Sequence, residues 1–148
     1  MKRSMAIGMV IFCFLMMTSG AAWSENRSPI PPNGTILDTN TGLIWLQNAN
    51  CFGQKSWADA KSSTPYNLKS GSCGLTDGSK AGQWRLPTKD ELIARQKNKQ
   101  GFTNVQAGRY WSATEYYNNY AWYVSMVAGE VYAISQSNVY YVWPVRSL

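Results

Sequence analysis

The sequence predicts an α+β domain. Three observations lead there. Short apolar runs bounded by turn residues occupy 35–38 and 43–46, two brief helical patterns fall at 56–62 and 89–97, and the chain after Gly101 takes on a strand texture. Thr35-Ile36-Leu37-Asp38 and Leu43-Ile44-Trp45-Leu46 are joined by Asn40-Thr41-Gly42, which suits a hairpin. Ser56 can cap a short helix through 62, with Asp59 three residues on and Trp57, Ala60 and Lys61 at helical spacing. Residues 64–82 hold Pro65, Gly71, Gly74, Gly78 and Gly82 and read as one long loop. Thr88 and Glu91 are spaced as a capping box for a helix over 89–97. Asp90 and Glu91 suit its positive end, and Arg95 and Lys97 its negative end.

Strands follow at 110–113, 120–127, 131–135 and 139–145, with Ala128-Gly129-Glu130 turning the chain. Trp122, Val124 and Met126 fall on one face of the second of these, and Ala121, Tyr123 and Ser125 on the other. Pro144 argues for an edge or strand-end position. Tryptophans beside the strand patterns (Trp45, Trp84, Trp111 and Trp122) suit the filling of a small core.

The first 24 residues predict export. Lys2 and Arg3 precede an apolar run, Met5 to Met17, that is too short to span a bilayer of ~30 Å. Small residues follow, Ser19 to Ala22, and this order is that of a cleavable signal peptide, with cleavage after Ala22 or Ser24. Residues 25–34, with Pro29, Pro31 and Pro32, form an extended leader, and 35–148 the domain. The expected location is periplasmic or extracellular, with no membrane span after cleavage.

Of the three cysteines, Cys13 leaves with the signal segment. Cys51 and Cys73 remain, and in an oxidising compartment a disulfide between them is the default. The chain has no histidine, which removes histidine triads, the commonest general base and the usual zinc ligand. The acids show no paired grouping, so no enzyme and no cofactor are expected. Formal net charge is +6, with Lys2 and Arg3 belonging to the signal segment, a mild bias that permits an anionic partner. Export alone disfavours nucleic acid.

Three segments together carry a resemblance: Thr41-Gly42-Leu43-Ile44-Trp45, then Trp84-Arg85-Leu86-Pro87-Thr88 with Glu91-Leu92, then Tyr110-Trp111-Ser112-Ala113-Thr114-Glu115 continuing to Tyr141-Val142-Trp143-Pro144-Val145-Arg146. Over about residues 36–146 the chain resembles the Lcl C-terminal domain family, named for the C-terminal domain of a bacterial collagen-like adhesin. The resemblance implies a C-type-lectin-like fold, with two short helices beside a twisted antiparallel sheet, long loops and adjacent termini. For the named adhesin it implies binding of sulfated glycans. Trp143 stands where the family usually has an arginine before Pro-Val-Arg, which predicts the loss of one basic contact at that edge.

Two stretches are candidate binding residues. Arg85, Lys89, Arg95, Lys97, Lys99 and Arg109 make a basic stretch suited to sulfate or phosphate, since a guanidinium binds two oxygens at once. The alternative is a solvated helix face, with Arg85 in a structural ion pair. Tyr116, Tyr117, Asn118 and Asn119, with Tyr140 and Tyr141 nearby, can stack on sugar rings and bond their hydroxyls; the alternative is an aromatic ladder on the sheet. Glu115 with Asn118 and Asn119 supplies oxygen ligands for calcium, but the lectin calcium triplets are missing, so no metal is expected. The expected function is an exported binding module for an anionic or sulfated glycan or another surface polymer. The alternative is a non-catalytic envelope assembly subunit that contacts surface protein through its aromatic face.

Overall fold

The computed structural model describes residues 33–148. The signal segment 1–24, and the leader but for its last two residues, lie outside the described residues. In chain order the elements are β1 (Thr35–Asp38), β2 (Leu43–Leu46), β3 (Gln54–Ser56), α1 (Trp57–Lys61), α2 (Ser63–Tyr66), α3 (Lys89–Lys97), β4 (Arg109–Glu115), β5 (Tyr120–Ser125), β6 (Val131–Ser135), β7 (Val139–Tyr141) and β8 (Val145–Ser147). The fold is α+β, with a three-stranded sheet ordered β1-β2-β8 and a five-stranded sheet ordered β3-β7-β4-β5-β6. All pairings are antiparallel except β4 with β7.

The hairpin forms where expected, with Thr35 opposite Leu46 and Asp38 opposite Leu43. So does α3. The Thr88 hydroxyl accepts from the Glu91 amide, and the Glu91 carboxylate accepts from the Thr88 amide, closing the capping box. α1 starts at the Ser56 cap as its spacing predicts.

The long loop differs at its start, where 63–66 complete the single turn of α2. Pro65 explains the break at Ser62. Its ring would clash with the Lys61 carbonyl in a continuous helix, but it is tolerated in a fresh first turn, whose N–H groups have no partner in any case. The remaining loop is tied back by the disulfide Cys51–Cys73, with Cα atoms 5.7 Å apart. Gly34 presses on that loop. Its φ of +80° is left-handed, and a Cβ there would run into the Gly74 carbonyl.

The predicted strand over 139–145 is two strands in different sheets. Tyr141 ends β7 and Val145 begins β8. Val142, Trp143 and Pro144 cross between the sheets, all buried. Pro144 sits between two strand ends, where its missing N–H costs no ladder bond, while its carbonyl accepts from the Leu46 amide at 3.1 Å. β3 was not predicted. Gln54-Lys55-Ser56 has no apolar alternation, and it is a strand because it borders β7.

The five-stranded sheet is covered on both faces. Trp45, Leu46, Leu92, Tyr110, Val124, Met126, Trp143 and Val145 form the larger core, to which α3 contributes Leu92. Trp57, Ala60, Leu86, Trp111, Ala121, Tyr123 and Val142 form the second, to which α1 contributes Trp57 and Ala60. Strand alternation sorts β5 between them: Val124 and Met126 face the first core, Ala121 and Tyr123 the second. Trp45, Trp84 and Trp111 are buried as expected, and Trp122 is half-buried. Of the two positions expected here, edge or strand end, the structure has the strand end, and Trp143 turns into the core: it is 0% exposed, donates its indole N–H to the Leu46 carbonyl at 2.8 Å, and meets Trp45 edge-on at 5.5 Å. Among the described residues no helix is long and apolar enough to cross a membrane.

Candidate functional site

The basic stretch does not form one patch. Arg85 donates both terminal nitrogens to the Glu91 carboxylate, each at 2.8 Å. Burial pulls the Glu91 carboxyl upward, but Arg85 and the Thr88 amide outweigh it and hold it below its ordinary value. Arg95 is buried. Its guanidinium donates to Asp38 at 2.5 Å and lies 4.9 Å from the ring centres of both Trp45 and Phe102. Burial lowers its pKa, with Asp38 opposing, and an arginine so placed remains charged. Lys99 donates its ammonium to the Met126 carbonyl at 2.8 Å. Three of the six cations are thus committed within the domain. Lys97 is exposed, without an ion-pair partner among the described residues. Lys89 lies 4.8 Å from the ring centre of Trp122, and Arg109 opens β4 at the far end of the sheet.

The tyrosine-asparagine stretch is the reversal between β4 and β5. Asn118 and Asn119 have φ of 49° and 60°, a left-handed conformation that asparagine tolerates, so both have a backbone role there. The Tyr116 amide donates to the Tyr120 carbonyl at 2.8 Å. Tyr116 meets Trp122 edge-on at 5.1 Å, and Tyr117 is 74% exposed. Glu115 pairs with Lys61. Among the described residues no group of three or more acids or cysteines is placed to hold a metal ion.

The register instead builds a site around Arg109. Arg109 is opposite Ser125, Trp111 opposite Tyr123, and Tyr123 opposite Tyr132. Lys55 is opposite Tyr140. Paired residues share a face, so alternation sets Arg109, Trp111, Tyr123 and Tyr132 on the α1 side of the sheet. Contacts bring Tyr140 to the same group, 4.7 Å from Trp111 and 5.1 Å from Tyr123 between ring centres.

The Arg109 guanidinium lies 5.2 Å from the Tyr123 ring centre and 5.7 Å from that of Tyr140, and donates weakly to the Tyr140 hydroxyl at 3.4 Å. Tyr123 is buried beneath it, and burial raises the phenol pKa against the opposing pull of Arg109. Arg109 itself is exposed, and no described carboxylate comes within ion-pair distance. Two rings fix its guanidinium while leaving donors turned to solvent, an arrangement suited to a planar or tetrahedral anion. Beside it opens a depression of about 450 Å³, bordered by Gln54, Ser125, Glu130 and Tyr140.

Sequence reasoning included Arg109 and placed Tyr140 near the aromatic loop, but it did not join the two. Tyr123, Tyr132 and Lys55 were missed. The alternation of β5 was the available signal, since it put Tyr123 on the face opposite Val124.

Fold and face together describe a small two-sheet α+β domain with an arginine mounted on tyrosines at one sheet end. The chain belongs to the Lcl C-terminal domain family, whose model matches residues 34–146. No curated protein matches the chain.

Proposed function

We propose that this chain is an exported binding module whose Arg109 face takes an anionic glycan. The observation that carries the reading is the exposed Arg109 guanidinium, held over Tyr123 and Tyr140 without a carboxylate partner among the described residues. Tyr132, 56% exposed on the same face, offers its ring to sugar C–H groups and its hydroxyl to sugar oxygens. Export is supported by the charged, apolar and small-residue order of 1–24 and by the Cys51–Cys73 bridge.

The test is heparin affinity across a salt series, with Arg109→Ala against Lys97→Ala. Arg109→Ala should elute at clearly lower salt, and its salt dependence should be shallower by about one released counterion. Lys97→Ala should shift elution less. Both variants should melt close to the parent, since exposed substitutions shift stability within ~0.5 kcal/mol. Elution of Arg109→Ala at the parental salt concentration would remove the reading.

A second reading rests on the β4–β5 hairpin. Tyr116, Tyr117 and Tyr120 are 57%, 74% and 44% exposed, an aromatic tip of the kind that anchors protein partners. Under it, binding to envelope protein would survive high salt and Arg109→Ala, and would be lost in Tyr117→Ala.

A further inference from the structure

We infer that the ligand of the Arg109 face carries an apolar group beside its anion, so that its class is an acidic sugar bearing an acyl or aryl substituent. This rests on the reading of that face as an anionic-glycan site. The depression beside Arg109 adjoins a second, of about 460 Å³, and the two share Ala107 and Val127 in their walls. Val127 stands between them, 66% exposed.

The two halves differ in chemistry. The first is polar, with Arg109, Ser125, Glu130 and Gln54 at its border. The second is walled mainly by Phe102, Val105 and Met126, with Lys99 and Gln106 as its polar members, and the Gln106 amide already donates to the Asn104 carbonyl at 2.8 Å. Its one cation is already engaged, since the Lys99 ammonium donates to the Met126 carbonyl at 2.8 Å. A uniformly charged polymer crossing both halves would set an anion against Phe102 and Val105 without a free cation, and would lose hydration there with little compensation. An apolar substituent removes water from those side chains instead, while its anion keeps Arg109. Glu130, on the polar border, accepts a sugar hydroxyl and disfavours a second anion beside the first.

The experiment titrates the mature chain by NMR with three probes: 4-nitrophenyl β-glucuronide, methyl β-glucuronide and 4-nitrophenyl β-glucoside. The nitrophenyl glucuronide should bind at least tenfold tighter than either of the others. Val105→Ser, a neutral change confined to the wall of the second depression, should abolish its advantage over the methyl glucuronide. Arg109→Ala should abolish its advantage over the glucoside. Equal binding of the two glucuronides, both weakened by Arg109→Ala, would overturn this inference while leaving the anionic-glycan reading intact. Equal binding of the glucuronide and glucoside pair, indifferent to Arg109→Ala, would overturn both.

Discussion

Trp143 is where the two sheets are joined at the level of one side chain. It touches Trp45, Phe102 and Tyr110 with ring centres 4.9–5.6 Å away, and its N–H is spent on the Leu46 carbonyl. Trp143→Ala should therefore cost about 3–5 kcal/mol. Trp143→Phe keeps much of the packing but strands a buried carbonyl, so its cost should be smaller, about 1–3 kcal/mol. Urea unfolding of both variants checks the order, and a Phe variant as unstable as the Ala variant would contradict it. By pattern Trp143 is one of four consecutive apolar residues, Val142 to Val145, in which alternation cannot assign a sheet. The dispersal of the basic stretch is hidden from the sequence for a related reason. Arg95 finds its acid 57 residues away and Lys99 its carbonyl 27 away, and a count of charges along the chain contains neither partner.

Helix α3 shows the opposite case, because its determinants are local. Thr88, Asp90, Glu91 and Lys97 all act within a turn of an end, so start and stop were legible from spacing alone. Its ion pair between Glu91 and Arg85, which lies just before the helix, gives it a pH response. Burial opposes ionisation of Glu91, but the ion pair and the Thr88 amide prevail, and its pKa in the folded state lies below the ordinary 4.5. A depressed carboxyl contributes stability that is fully present above the unfolded pKa and is lost as pH falls through the folded one. Asp77, lowered by Ser79 and Arg146 against its burial, acts in the same direction. Urea midpoints should hold level down to about pH 5 and fall below about pH 4. Glu91→Gln should be less stable at neutral pH and should decline less on acidification; an unchanged acid slope would refute the assignment. Elements that depend on distant neighbours were harder to read. β3 has no amphipathic signal because its identity comes from β7, and the split of 139–145 is fixed by what lies on either side of Pro144.

At the scale of the whole molecule, two ties hold segments that secondary structure leaves loose. The disulfide joins positions 22 apart and pins the Gly-rich loop to the segment after β2. Closing such a loop is worth ~3 kcal/mol in the chain-entropy model, and Cys51→Ser should cost a comparable amount. Reduction by dithiothreitol should lower the melting temperature of the parent and leave that of a Cys51→Ser, Cys73→Ser double variant unmoved. The pairing was readable from two cysteines in an export context, and α+β from the succession of local patterns. The division into two sheets was not readable, because it depends on β8 leaving the strand that precedes it.

The second tie is β2 itself, which runs between the first strand of the domain and the last. Thr35 and Val145 stand opposite its adjacent residues Leu46 and Trp45. A chain made from its N-terminus therefore holds an unfinished sheet until β8 is delivered, and a product that lacks β8 has no means to complete it. Contacts of such sequence separation are late and slow to form. Removing 143–148 should leave a polypeptide with no cooperative melting transition in a thermal scan. The hairpin can form early, but its sheet stays open on one side until β8 arrives.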